Sequence, residues 1–117
     1  MRINEVVFSD AQPVEGYGPG FFRIGGALRE GPLLTSNSGI AAWNGLEDHD
    51  PLLALAGEVD VLFVGTGPEI AHIPAGLRAA LEAAGIGVEL MASPTACRTY
   101  NVLLGEGRRV ALAALPV

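Results

Sequence analysis

The stretch DVLFVGTGPEIAHIPAGLRAALEAAGIGVEL, residues 60–90, decides the fold class of this chain. It begins with a continuous apolar run at 60–64, which is typical of a strand covered on both faces. Residues 74–84 start with proline, which a first helical turn tolerates, and their leucines recur at helical spacing. Gly85 is a natural C-terminal cap, and 86–90 form the next strand. This order predicts a βαβ unit with two parallel strands.

A second helix and a final strand follow this unit. Ser93 and Pro94 open the helix, because serine is a common N-cap and proline is tolerated in a first turn. The helix is predicted to run to about Leu104 and to stop at the glycines of 105–107. The last strand spans 108–115, and its alternation places three side chains on one face: Val110, Leu112 and Ala114.

Residues 1 to about 45 are rich in strand formers and turn residues. In chain order they predict a strand at 3–8, a turn at 16–20, a strand at 21–24, a sharp bend or bulge at 25–26, and a hairpin whose strands, 33–35 and 40–43, flank a turn at 36–39. Side chains alternate along a strand, so one of Phe21 and Phe22 is expected to face the core. The elements together predict an α/β fold: a mixed sheet with helices packed on it and an additional N-terminal β layer.

Length and composition limit the class of protein. The chain has 117 residues, 50% of them hydrophobic, which is enough for a single domain spanning 1–117. Its formal net charge is −6, with 7 basic residues, all arginine, and 13 acids. Because no basic stripe is present, neither nucleic acid nor an anionic membrane is predicted as a partner. The single cysteine, Cys97, excludes an internal disulfide and a multi-cysteine zinc site.

The sequence shows no targeting or membrane-spanning pattern. Its N-terminal residues resemble neither a secretory leader nor an arginine- and serine-rich transit segment. No apolar run approaches the ~20 residues that span a bilayer. We therefore expect a protein of the bacterial cytoplasm without a membrane span.

Two loops are predicted to meet at the carboxyl ends of the parallel strands. Their candidate residues are Gly65, Thr66 and Gly67 in one loop, and Ser93, Thr95 and Arg98 in and after the other. Open α/β sheets place ligands at this edge, where a helix N-terminus offers N–H groups to a carboxylate or phosphate. Ile70 stands where the third glycine of G-x-G-x-x-G belongs, so no nucleotide cofactor is predicted. The alternative is structural: Ser93 caps the helix and the glycines form a tight turn.

Three residues in the middle of the second helix are also candidates: Thr99, Tyr100 and Asn101. Threonine and asparagine are poor helix formers, so their positions indicate either a binding role or buried hydrogen bonds. We expect Asn101 to tie the helix to a neighbouring loop. We expect Tyr100 to pack while presenting its hydroxyl.

Two further features favour structural roles. Cys97 lies in the first turn of the second helix, where the helix dipole can favour a thiolate. Neither His49 nor His72 is placed near it as a base, so a buried structural cysteine is predicted. The run Asp48–Asp50 offers one imidazole and no thiol, so a solvated acidic loop is predicted there and no metal site.

Several segments, in order along the chain, resemble one known family. They are 17–20, 65–67, 85–91, and most distinctively TACRTYNVL at 95–103 with EGR at 106–108. The sequence resembles domain-of-unknown-function family 498 from about Ile3 to Pro116. The resemblance implies a three-layer fold around a central mixed sheet, and no established reaction. It also implies an assembly or accessory role, in mitochondria for respiratory complex I, while bacterial relatives are often encoded beside protein-export components.

Three functions follow as hypotheses. The first is a non-enzymatic accessory protein that contacts an unidentified protein partner. The alternative is a small-molecule or anion-binding domain that uses the loops at 65–67 and 93–101, and the third is a cysteine-dependent enzyme. A partner requires an exposed apolar patch, and a ligand requires a cleft with converging N–H donors. Catalysis requires an exposed Cys97 beside a base.

Overall fold

The computed structural model describes residues 11–117, so the strand predicted at 3–8 lies outside the described residues. In chain order the elements are β1 (Val14–Gly18), β2 (Phe21–Ile24), β3 (Ala27–Glu30), β4 (Leu33–Ser36), β5 (Gly39–Ala41), α1 (Asp50–Leu53), β6 (Val61–Gly65), α2 (Ala75–Ala83), β7 (Gly87–Met91), α3 (Ser93–Gly105) and β8 (Val110–Ala114). Within these residues, no helix combines the length and the apolar character needed to cross a bilayer.

Within residues 11–117, the central sheet is mixed and has five strands in the order β5-β4-β8-β6-β7. Strand β6 pairs in parallel with both β7 and β8, while β4 is antiparallel to β8 and β5. The predicted βαβ unit is therefore confirmed as β6-α2-β7. At its carboxyl end, Gly65 lies between Met91 of β7 and Ala114 of β8. The loops that follow β6, β7 and β8 thus meet at one edge of the sheet.

The additional N-terminal layer is a second, three-stranded antiparallel sheet in the order β1-β2-β3. Gly25 and Gly26 form the turn between β2 and β3 with φ angles of 63° and 74°, which confirms the predicted sharp bend. The turn predicted at 16–20 is wrong in its first part. Residues 16–18 belong to β1 because Gly18 leaves room for the Phe21 ring, whose atoms occupy the space of a Gly18 side chain.

Two hydrophobic clusters cover the two faces of the central sheet. One cluster joins α1 and α2 to the sheet and includes Leu62, Leu77 and Leu81. The other joins α3 and the three-stranded sheet to the opposite face. Val110, Leu112 and Ala114 all lie in this second cluster, as their alternation predicted. The fold is therefore a mixed sheet between a helical layer and a layer built from α3 and the N-terminal strands.

The chain around β5 departs from the sequence prediction. The second hairpin strand is Gly39–Ala41 instead of 40–43, since Trp43 turns away and its indole Nε1 donates to the Asp48 carbonyl (3.1 Å). The acidic loop predicted at 48–50 leads directly into α1, whose first turn contains Pro51. Asp48 accepts a hydrogen bond from the Asn44 N–H at 3.0 Å, so its carboxylate holds this loop together.

Candidate functional site

The Ser93 hydroxyl connects the three loops at the carboxyl edge of the central sheet. Its Oγ accepts a hydrogen bond from the Gly67 N–H at 2.9 Å and donates one to the Leu115 carbonyl at 2.6 Å. The Ser93 N–H in turn donates to the Gly67 carbonyl at 2.7 Å. The side chain is buried. A single hydroxyl therefore joins the ends of β6 and β8 to the start of α3.

The expectation that Ser93 caps its helix is wrong. Ser93 is the first residue of α3, the N-cap position is Ala92, and no side chain caps this end. The N–H groups expected to bind an anion are engaged within the chain: the Thr66 N–H donates to the Met91 carbonyl, and those of Gly67 and Ser93 pair as described. Pro94 has no N–H to offer. The two loops are thus joined to each other at this point.

Close packing explains the glycine that ends β6. A side-chain carbon at Gly65 would lie 2.7 Å from Ser93 Oγ and 2.8 Å from its Cα, closer than real carbon atoms approach. Thr66 then shapes the following loop, because its Oγ1 donates to the Glu69 carbonyl (2.8 Å) and accepts from the Ala71 N–H (2.9 Å). Residues 65–67 therefore hold the loop after β6 in place against the start of α3.

The polar residues in the middle of α3 face inward to different degrees. Asn101 forms two hydrogen bonds with the backbone of Val14, so it ties α3 to the neighbouring sheet as expected, at a strand and not a loop. Tyr100 is fully buried, so the expectation that it presents its hydroxyl is wrong. Burial raises the pKa of Tyr100 to about 12, and the nearby Thr35 hydroxyl partly opposes this. The two hydroxyls do not have the geometry of a regular hydrogen bond.

The exposed part of the predicted site is one side of α3. Thr95 and Arg98 are exposed there, and the Arg98 guanidinium donates to Thr95 Oγ1 at 3.3 Å. Thr99 is half-buried. One turn further along, Val102 is 59% exposed. In the part of the chain that the structure describes, only three of the nine candidate residues place their side chains near solvent without a hydrogen bond that joins strands. They are Thr95, Arg98 and Thr99.

Cys97 is buried, as predicted. Burial raises the pKa of its thiol from 9.0 to about 11, against a smaller lowering effect of the Arg98 charge. At neutral pH the side chain is therefore a protonated thiol packed in the cluster beneath α3. A protonated, inaccessible thiol is a poor nucleophile.

The outward side of the three-stranded sheet carries apolar side chains. Phe22 and Ile24 point into the core, so the alternating residues Phe21 and Arg23 point outward. Cross-strand pairing places Leu28 opposite Arg23, and Leu28 is 48% exposed. We call this surface, formed by Phe21, Arg23 and Leu28, the outer β face. It carries two apolar side chains, the exposed Leu28 and the half-buried Phe21, together with the exposed, charged Arg23.

Sequence reasoning did not predict the exposure of four large apolar residues among residues 11–117: Tyr17, Leu28, Ile70 and Val102. Leu28 lies in β3, a strand that was not predicted because its four residues, ALRE, lack strand formers. Ile70 is 65% exposed in the loop after β6, where the sequence marks it only as a break in a glycine pattern. A large apolar residue in a loop between two prolines, Pro68 and Pro74, was the available signal.

Two known proteins are similar to this chain over most of its length. An uncharacterized protein of Rhodobacter capsulatus is 50% identical over 117 residues, covering all of this chain and 94% of that protein. The NADH dehydrogenase [ubiquinone] 1 alpha subcomplex assembly factor 3 of Danio rerio is 31% identical over 110 residues, which covers 88% of this chain. The match spans 63% of the length of that assembly factor.

Solved structures share the fold. The crystal structure of an outer membrane protein from Bartonella henselae superimposes with a TM-score of 0.84 at 34% identity, covering 91% of this chain and 95% of that one. A family model described as "Protein of unknown function (DUF498/DUF598)" matches residues 14–115. The match includes both sheets and the three helices that residues 11–117 form. The chain therefore belongs to the DUF498/DUF598 family.

Proposed function

We propose that this chain is a non-enzymatic accessory protein that acts through protein–protein contacts in the assembly of a respiratory or other membrane complex, in the bacterial cytoplasm. The observation that carries the proposal is the similarity to a complex I assembly factor over 88% of this chain. The buried, protonated Cys97 supports a role without thiol catalysis. The acidic net charge of −6 favours a protein partner over nucleic acid.

The outer β face is the surface we propose for the partner. Exposed apolar side chains on a sheet bind partners by removing apolar area from water. Leu28 and the half-buried Phe21 supply that area, and Arg23 between them supplies a charge that gives orientation. The exposed side of α3, with Thr95 and Arg98, is a second proposed contact.

The anion-binding alternative has less support. It needs N–H donors that converge on an open space, but the Thr66, Gly67 and Ser93 N–H groups already have acceptors within the chain. Arg98 remains exposed, and within residues 11–117 its guanidinium donates to Thr95. A thermal-shift screen with phosphate, sulfate and carboxylates is expected to leave the melting temperature unchanged.

Complementation tests the assembly role. Deleting the 50%-identical relative from Rhodobacter capsulatus is expected to reduce fully assembled complex I on native gels, and this chain is expected to restore it. Leu28→Asp and Arg98→Glu should restore less. Their matched controls, Ala79→Asp on α2 and the exposed Arg108→Glu, should restore as well as the unmodified chain. Normal complex I in the deletion strain would contradict the proposal.

A further inference from the structure

Strand β7 is an edge of the central sheet among the described residues. Two hydrogen bonds show which of its backbone groups face inward: the Gly87 N–H donates to the Asp60 carbonyl, and the Met91 carbonyl accepts from the Thr66 N–H. Backbone groups alternate between the two sides of a strand. The N–H and C=O groups of Val88 and Leu90 therefore point away from β6.

One of these outward groups is partly covered. The Arg78 guanidinium, held by an ion pair with Glu82 at 3.2 Å, donates to the Val88 carbonyl at 3.3 Å. This contact confirms that the backbone carbonyl of Val88 points away from β6. No hydrogen bond within residues 11–117 engages the outward groups of Leu90. Among residues 11–117, the edge is thus open at its carboxyl end.

An open apolar groove lies beside that end. It has a volume of about 260 Å³ and is lined by Ile70, Ala71, His72 and Leu90. Ile70, at 65% exposed, forms its rim. An added strand at the β7 edge would place every second side chain on the side of this groove. Backbone donors and acceptors beside an apolar groove are the two parts that strand addition requires.

Charge defines the chemistry of the segment that fits. Glu69 precedes Ile70 in the chain, and Glu89 precedes Leu90 in β7 and so points to the face opposite the groove. Both are exposed, and neither forms an ion pair among residues 11–117. A basic residue beside an apolar one would complement them. A second copy of the chain fits poorly, because antiparallel pairing of two β7 strands about their centres sets one Glu89 directly opposite the other. Like charges in opposed positions destabilise a strand pair.

We propose that the β7 edge binds an extended peptide segment of a partner protein by strand addition, with an apolar side chain in the Ile70–Leu90 groove and a basic residue near Glu69 and Glu89. This peptide-binding activity goes beyond the assembly role and uses a different surface. It requires no complex I component, so it can fail or hold independently of that role.

The test uses the full chain and a synthetic capped peptide, TVRIRVT, observed by NMR of the protein amides; its arginines lie directly beside the central apolar residue and on the opposite face. We expect saturable shifts at residues 88–90 and 70–72, and slower hydrogen exchange of the Leu90 N–H when the peptide is bound. A peptide of the same sequence with N-methyl groups on all its amides should not bind, because neither of its edges can then donate hydrogen bonds to β7. Equal binding of the methylated peptide, or shifts confined to other surfaces, would overturn the proposal.

Two variants locate the side-chain contact. Ile70→Asp should weaken binding of the basic peptide about tenfold, since apolar contact is lost even though a favourable charge is added. Val102→Asp also replaces an exposed β-branched side chain with aspartate, on α3, where the exposed fraction is 59% against 65% for Ile70, and it should leave binding unchanged. Amide spectra establish that each variant is folded. Equal weakening by both variants, or a wild-type dimer that Ile70→Asp dissociates, would also overturn it.

Discussion

The side-chain amide of Asn101 pairs with the backbone of Val14 as a neighbouring strand residue would. Asn101 Oδ1 accepts from the Val14 N–H at 2.8 Å, and Asn101 Nδ2 donates to the Val14 carbonyl at 2.8 Å. Val14 is the first residue of β1, so the Asn101 side chain holds the start of the three-stranded sheet against α3. The outer β face is thereby fixed relative to α3.

Replacing Asn101 tests this connection. Asn101→Ala leaves the Val14 N–H and C=O without their partners in a half-buried place, so the free energy of unfolding should fall by about 1–3 kcal/mol. Urea denaturation followed by circular dichroism measures the change. Thr95→Ala on the exposed side of the same helix is the control, with an expected change below about 0.5 kcal/mol. Equal stability of both variants would show that the two hydrogen bonds contribute nothing.

Ser93→Ala should destabilise the edge where three strands end. The substitution removes the buried Ser93 hydroxyl. The Gly67 N–H then loses its acceptor, and the Leu115 carbonyl loses its donor. We expect a loss of about 1–3 kcal/mol in urea denaturation. Amide exchange of Gly67 should accelerate, because its N–H loses its partner. An unchanged exchange rate at Gly67 would contradict the assignment of that bond.

Gly65→Ala should be destabilising by about 1–3 kcal/mol, since the new methyl group would lie against Ser93 Oγ and Cα. The double variant with Ser93→Ala should not recover the loss, because the backbone of residue 93 would still lie 2.8 Å from the new methyl carbon. Gly76→Ala in α2 is the matched control. No other part of residues 11–117 lies within 4 Å of its new methyl group, so helix propensity should raise stability by about 0.5–1 kcal/mol. Recovery in the double variant would place the clash at the hydroxyl alone.

Cys97 should resist thiol reagents in the native protein. Because its thiol is buried and its pKa is raised to about 11, labelling at pH 7 is expected only after denaturation. A maleimide reaction followed by mass spectrometry, with and without urea, measures this. Rapid labelling in native buffer would reopen the hypothesis of a reactive cysteine.

The same pKa gives a direction for alkaline stability. An unfolded thiol ionises near pH 9.0, whereas the folded thiol stays protonated up to about 11. Between these values the unfolded state binds fewer protons, so the free energy of unfolding falls as the pH rises. Tyr100 acts in the same direction between 10.0 and about 12. Cys97→Ala should therefore reduce the slope between pH 9 and 11, and an unchanged slope would contradict this.

The βαβ unit was predictable because its signals are local. The apolar run at the start of 60–90, the helical spacing of its leucines and the cap at Gly85 each act within a few residues. The alternation of Phe21 and Phe22 was equally local, and Phe22 is the one in the core. Strand β3 escaped prediction because it is fully exposed and forms by pairing with β2, a tertiary contact that compensates for weak propensity.

The candidate site divides along the same line. The sequence alone was enough to predict that loops 65–67 and 91–95 converge at one edge of the sheet, because parallel strands place their carboxyl ends together. Which groups bond to each other at that edge depends on tertiary packing. The Ser93 hydroxyl meets Leu115, Asn101 meets a residue 87 positions away, and Tyr100 lies in the core. Hydrogen-bond partners distant in sequence are chosen by how whole layers pack, and no local propensity specifies that packing.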